Sequence, residues 1–415
     1  MASIVARLPA VEQLPDTFFD PPSPPAVDYI TKAPDDPIAR LNRALRDGDT
    51  HLIFDGARAG YLRSVLEALG VPIESQIAVF AKRSLQSGII SPQNPRTIFF
   101  SDSVAVAWPR GGFIEIAAQD PGLGPVFYAL DQQMTTAPQF VRTAACITCH
   151  QSGETLGVPG MLLRSQATAA DGRAMPQLGN YFSDHRSPFE ERWGGWFVTG
   201  HANTMRHLGN LVVDDRSAAG ADLAPGTIML DSLIEKLDTA DYLSPYSDIV
   251  ALTVFDHQMH MTNLLTRIEW EARVPSAGTG GSDVSARVRD VALELVDYML
   301  FVDEATLPAR IEGSSGFAQR FSSEGPHDSK GRSLRQLDLE HRLLRYPCSY
   351  MIYSDAFDRL PAEAKAAIYS RMWDVLSGRV PDARYAHLTG SDREAIVEIL
   401  RDTKKDLPGY FRATP

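Results

Sequence analysis

Cysteine is scarce in this chain, with three among 415 residues. That is too few for the disulfide framework that stabilises small secreted domains. Long hydrophobic runs are missing too. None approaches the ~18 apolar residues of a membrane span, so no membrane-spanning segment is expected. Basic charge is in deficit, with 40 Lys and Arg against 52 Asp and Glu and a formal charge of −12. Non-specific nucleic-acid binding needs a basic face, and this balance argues against it. There is no Walker sequence, no dinucleotide-binding glycine fingerprint after a strand, no G-x-S-x-G and no H-E-x-x-H. The opening residues, Met1 to Pro9, contain no apolar h-region.

What is present is an ordinary globular composition: 44% hydrophobic, 22% charged and 9% aromatic. That is enough for one large domain or two smaller ones. Eight prolines fall between Pro9 and Pro37. Proline fixes φ and removes a donor, so residues 1–38 read as an extended arm. A helical pattern (Tyr61, Val65, Leu66, Leu69) ends at Gly70. The period then changes. Thr97 to Phe100, Val104 to Trp108, Phe113 to Ala117 and Val126 to Leu130 are short β-type runs separated by Gly- and Pro-containing turns, a pattern that predicts an antiparallel meander.

Beyond about residue 215 the chain reads as helices: Ser247 to Arg273, Val284 to Phe301, Ser333 to Leu344, Pro361 to Leu376 and Ser391 to Asp402. Ser276 to Asp283 reads as a flexible connection between the first two. Ser391 with Glu394 has capping-box spacing. The expected class is α+β: a β-rich N-terminal half with a meander, then a mainly α-helical C-terminal half. The expected divisions are 1–38, 39–215 and 216–415, the last two allowing one continuous unit over 39–415.

The chemistry is concentrated in Cys146-Ile147-Thr148-Cys149-His150, a C-x-x-C-H motif directly after the meander. Its spacing puts two thiols on one turn of chain, where they can form thioethers with the two vinyl groups of a haem. The histidine that follows then reaches the iron from the proximal side. One covalent haem c is the expected cofactor. A thiol–disulfide pair would call for a βαβ context. A structural zinc site would call for a second ligand pair, which Cys348 alone does not supply. Cys348 itself reads as a small buried hydrophobe.

From Cys146 to about Met161 the sequence resembles the c-type cytochromes. The phrases Arg192-Trp-Gly-Gly-Trp-Phe-Val-Thr-Gly200, Arg206-His-Leu-Gly-Asn210 and Ser247-Asp-Ile-Val-Ala-Leu252 are similar to those of a large group of exported bacterial monohaem proteins. The resemblance implies haem and export, hence a periplasmic or otherwise extracytoplasmic location and a leader already removed from the given chain.

The residue opposite His150 would decide between electron transfer and reaction with small molecules. Stepping by three and four gives Val250, Val254, His257, Met261, Leu264 and Ile268, an apolar row with one imidazole in it. This row nominates His257 as a second iron ligand or distal acid–base group, against the general rule that a lone histidine on an apolar face is a satisfied core residue. The row Thr253, Asp256, His260, Asn263, Arg267 is polar, which predicts that His260 faces solvent or a polar cleft. A second cluster, His201, Met205, Arg206 and His207, offers alternative ligands, with Arg206 suited to a haem propionate or an anionic substrate. If it is helical, His201 and Met205 share a face and Gly209 caps it. Trp193 and Trp196 read as core aromatics or as walls of a haem pocket. Met161, eleven residues after His150, is expected to pack against the ring.

Two functions compete. One is a haem oxidoreductase acting on a small oxidant or organic substrate, which the size of the chain around one haem favours. The other is an electron-transfer or redox-sensing cytochrome with a six-coordinate haem, which the supply of His and Met favours. The partner is accordingly a redox protein or a small-molecule substrate.

Overall fold

The computed structural model describes residues 23–56, 59–213, 228–274 and 282–412. Residues 1–22 of the proline-rich arm and most of the Ser276–Asp283 connection lie outside them. The first helix, α1 (Pro37–Asp47), starts inside the segment expected to be extended. Pro37 opens it because its missing N–H needs no partner there. The Asp36 carboxylate caps the N–H groups of Ile38 and Ala39 at 2.7 and 2.9 Å. Helix α2 (Leu62–Leu69) ends at Gly70, whose φ of 64° suits a residue without Cβ.

The strands are β1 (Ile77–Val79), β2 (Arg96–Phe100), β3 (Val104–Pro109), β4 (Ile114–Asp120), β5 (Gly124–Leu130), β6 (Val141–Arg142), β7 (Leu163–Gln166), β8 (Asn180–Ser183) and β9 (Trp196–Phe197). A short helix, α3 (Ile147–His150), separates β6 from β7. Seven strands form one antiparallel sheet in the order β6-β5-β4-β3-β2-β1-β9, and β7 pairs with β8. β4 shows how the sequence sets the two faces. Ile114, Ile116 and Ala118 are buried on one side, while Glu115, Ala117 and Gln119 are half-buried on the other.

The helical half holds α4 (Ile249–Arg273), α5 (Ser282–Met299), α6 (Phe317–Ser323), α7 (Asp355–Asp358), α8 (Ala362–Leu376) and α9 (Gly390–Thr403). Helix α4 is buried on nearly every side, including Thr253, Asp256 and Asn263 of the polar row, with His260 and Arg267 half-buried. Phe255 packs on Phe100 of the sheet at 4.8 Å between ring centroids. One hydrophobic cluster runs from Ile77 and Phe100 through α4 to Leu400 and Phe411, so packing crosses the expected 215/216 boundary without a break. The opposite sheet face is covered by α1, α2 and the segment around Leu233 and Tyr242. Among the described residues no helix is long and apolar enough to cross a membrane.

Two helical expectations differ from the structure. Residues 333–344 form turns rather than a helix. Leu339 has φ of 62°, and the Asp338 carboxylate takes the N–H groups of Glu340 and His341, fixing a tight reversal there. In α9 the capping box is made by Thr389 and Asp392, not by Ser391 and Glu394.

Candidate functional site

The C-x-x-C-H motif forms a single helical turn at the edge of the sheet. Ile147 anchors it in the core. Both Cys149 N–H (3.1 Å) and His150 N–H (3.0 Å) donate to the Cys146 carbonyl. The turn therefore presents Cys149 exposed and Cys146 half-buried against the sheet cluster, both as free thiols. Burial, helped by the negative charge of Glu115, pushes the Cys146 thiol up to about 12. A thiol–disulfide catalyst needs the opposite shift.

His150 is held from two sides. Its ring packs on Phe127 of β5 at 4.8 Å. Its Nδ1–H donates to the Gly160 carbonyl at 2.9 Å, and Gly160 N–H returns to the His150 carbonyl at 2.7 Å. The loop makes this return possible. Ser152 and Thr155 cap a short turn, and Leu156 (φ 61°) and Gly157 (φ 74°) reverse the chain. Gln151 then pairs with Pro159. A carbonyl can only accept, so the proton sits on Nδ1 and Nε2 carries the lone pair. Burial holds the imidazole below its ordinary value, in the neutral form a ligand requires.

Two thiols one turn apart and an imidazole with a free Nε2, backed at Nδ1 by a carbonyl, are the donor set that haem c takes from a protein. Among the described residues no group of three or more His, Cys, Asp or Glu could hold a metal ion. A bare ion would need such a group, whereas haem iron needs one imidazole on this side.

The other candidates are distributed differently from the expectation. His257 is fully buried with both ring nitrogens engaged. Nδ1 is 2.8 Å from His185 Nδ1 and Nε2 is 2.7 Å from Ser349 Oγ. Tyr298 and Phe301 lie nearly parallel to the ring. The face of α4 that meets the haem-motif loop is the polar row. Asn263 bonds Met161, and Arg267 donates to the Leu156 carbonyl at 2.8 Å. His257 precedes Asn263 by six residues, which turns it by about 120° around the helix. The apolar row faces the helical core. Of the two settings expected for His260, the structure shows the polar one rather than open solvent: the ring is half-buried, Arg186 donates to its Nε2 at 3.3 Å and Tyr298 lies 4.7 Å away.

The His201–His207 segment forms turns, not a helix, so Gly209 caps nothing. Its N–H donates instead to His207 Nδ1 at 3.0 Å. His201 is exposed, pairing its backbone with Glu312 and its ring with Asp231. Met205 is fully buried and Arg206 is exposed. His207 is buried against Trp193 and Met229. Thr199, two residues before His201, pairs with Asp248 at the start of α4. Asn263 is fifteen residues further along, roughly 20 Å at the helical rise. The cluster and the C-x-x-C-H turn thus sit toward opposite ends of α4. Trp193 is a core aromatic that donates to buried Asp256. Met161 is half-buried between the two hydrophobic clusters.

The residues that the sequence did not nominate are Phe127, Gly160, Asn263 and Arg267. A signal existed for the last two: both belong to the polar row of α4, whose groups need solvent or polar partners. Two cavities border other elements. One of about 660 Å³ is lined by residues including Phe301, Glu304, His341 and His387. One of about 240 Å³ is lined by residues including Phe100, Gln258 and Arg335. Compared with known protein families, curated proteins and solved structures, the chain matches none.

Proposed function

We propose that this chain carries one haem c, joined through Cys146 and Cys149 with His150 as the iron ligand, and serves as an extracytoplasmic redox protein. The observation that carries the reading is the His150–Gly160 hydrogen bond. It fixes a neutral imidazole with its lone pair on Nε2, beside two thiols of one turn. The group would supply a one-electron couple at its iron. The chain's own part is to hold the imidazole's orientation and to keep one edge at the surface, where Cys149 is exposed.

That exposure favours electron exchange with a partner protein. Haem-based turnover of a small oxidant needs an acid–base group beside the iron, and the residue nominated for it, His257, is committed to His185 and Ser349. The test is the exported protein made in a host with haem-attachment machinery, extracted with acid–acetone and stained for haem on a denaturing gel. Stain comigrating with the chain supports attachment, and loss of all haem to the solvent overturns it. Cys146→Ala and Cys149→Ala should each sharply lower the yield of stained protein. Addition of carbon monoxide to the reduced protein separates the two functions. An unchanged spectrum supports electron transfer, and rapid binding supports an open, reactive iron.

A further inference from the structure

One peptide unit joins the haem-motif turn to the central helix. The C=O of the Gly160–Met161 peptide accepts the His150 Nδ1–H at 2.9 Å, and the N–H of the same peptide donates to Asn263 Oδ1 at 2.7 Å. Asn263 Nδ2 also donates to the Met161 carbonyl at 2.8 Å, so the side-chain amide grips both polar groups of Met161. Asn263 is 1% exposed, in the body of the most buried helix. Glycine is required at 160, because a Cβ there would lie 2.5 Å from Asn263 Oδ1 and 2.7 Å from Thr155 Cβ. One turn further along α4, Arg267 holds the Leu156 carbonyl and is itself paired with Glu271.

From this geometry we infer that Asn263 is a positioning residue for His150, acting through the Gly160–Met161 peptide to set the imidazole's orientation and donor strength. The inference rests on the haem reading above. Its physical basis is cooperative polarisation: an amide whose N–H is bonded presents a more negative carbonyl oxygen. That oxygen draws the Nδ1 proton, gives the ring more imidazolate character, and makes Nε2 a stronger donor to ferric iron. The clamp also removes rotational freedom from the peptide, so the acceptor stays in the imidazole plane. Removing the Asn263 amide should therefore weaken the donor and raise the midpoint potential.

The experiment compares holoprotein carrying Asn263→Leu, Asn263→Asp or Ile268→Ala. Ile268 is fully buried on the far side of α4, so its truncation reports loss of stability alone. Asn263→Leu should raise the potential and speed solvent exchange of the His150 Nδ1 proton roughly tenfold or more, as its acceptor weakens. Asn263→Asp keeps an acceptor for the Met161 N–H and should bring the potential back to the parent value or below. Ile268→Ala should lower stability and leave both readings unchanged. A potential and a proton exchange rate in Asn263→Leu equal to those of Ile268→Ala would overturn the inference. The Nδ1 proton can also be followed in haem-free chain. Failure of haem attachment therefore sinks the redox reading, while a slow, Asn263-dependent Nδ1 proton would still uphold the relay.

Discussion

His185 and His257 share a hydrogen bond between their Nδ1 atoms, 2.8 Å apart, and both side chains are buried. Only one of the two nitrogens can carry the proton, so the other ring accepts through its lone pair. His257 Nε2 meets Ser349 Oγ, but His185 Nε2 has no partner among the described residues. Tyr298 and Phe301 lie nearly parallel to both rings. Burial drives both imidazoles toward the neutral form, His257 down to about 3, with the neighbouring imidazole acting further against a charge on His185.

The pair makes the fold sensitive to acid. The unfolded chain binds a proton at His257 below pH 6.5, and the folded chain does not until about pH 3. Its contribution is therefore complete above pH 6.5 and is lost as the pH falls from there toward 3. Between pH 7.5 and 5.0 this one group should cost about 2 kcal/mol. Buried Asp256 and Glu269, both raised to about 7 mainly by burial, act in the opposite sense. They favour the fold at low pH and lose that contribution as the pH rises toward 7. The clean measurement is urea unfolding of the parent and His257→Phe at both pH values. The variant is expected to be less stable at pH 7.5 but to lose about 2 kcal/mol less on acidification. Equal losses would mean that His257 titrates normally in the fold.

Gly194 tests the turn that leads into β9 where it packs on the end of β7. A Cβ there would lie 2.7, 2.8 and 2.9 Å from the O, C and N atoms of Gln166, all backbone. Backbone cannot step aside as a flexible side chain can, and the same segment uses Gly194 N–H and C=O to bond Ser165 and Gln166. Gly194→Ala should cost about 1–3 kcal/mol, the usual range for overpacking, read as a lowered midpoint in chemical denaturation. An unchanged midpoint would show that β7 has room to shift.

Much of this architecture was legible because local chemistry and global packing agree. The meander announced itself through β-type runs broken by Gly and Pro, and β2 to β5 appear within a few residues of those runs. Helix α4 was legible from its length and apolar rows. Its orientation was not, because apolar periodicity identifies a face that must be buried without naming what buries it. His257 follows the general rule for a histidine in an apolar row, and the polar Asp256–His260–Asn263–Arg267 row meets the segments around Arg192, Arg186, Met161 and Leu156 instead. That Cys146, Cys149 and His150 share one turn of chain was legible from spacing alone. Gly160 was not, because a backbone carbonyl leaves no mark on residue type beyond the glycine that lets it approach. The turns at 333–344 escaped the helical pattern because Asp338 and the left-handed Leu339 override it locally.

Attachment should depend on where the chain matures, because thioether formation to haem belongs to the extracytoplasmic attachment machinery. The chain expressed without a leader in the cytosol should be essentially colourless. The same chain behind a signal peptide, with that machinery present, should be red and should keep its haem through denaturation. Haem content per milligram, measured after denaturing purification, decides the matter. Equal content in the two preparations would refute the extracytoplasmic assignment.

The final prediction separates the haem motif from the other histidines. His257 is bonded on both sides, and the His201–His207 segment lies toward the other end of α4, roughly 20 Å along its axis from the residue that holds Met161. In haem-loaded protein, His257→Ala, His201→Ala and His207→Ala should therefore leave the ferric and ferrous absorption bands where the parent has them. His150→Ala should change the spin state. The buried variants should still be less stable. His257→Ala leaves His185 Nδ1 without its partner, at a cost of about 1–3 kcal/mol for a buried group left unsatisfied, while Ser349 Oγ still accepts from Met351 N–H at 3.2 Å. His201 is exposed, and its substitution should be nearly silent on both counts. A shift from low-spin to high-spin bands in His257→Ala, with newly rapid carbon monoxide binding, would mean that haem loading turns α4 so that its apolar row reaches the iron. The packing of His257 against His185 and Ser349 would then be a property of the haem-free chain alone.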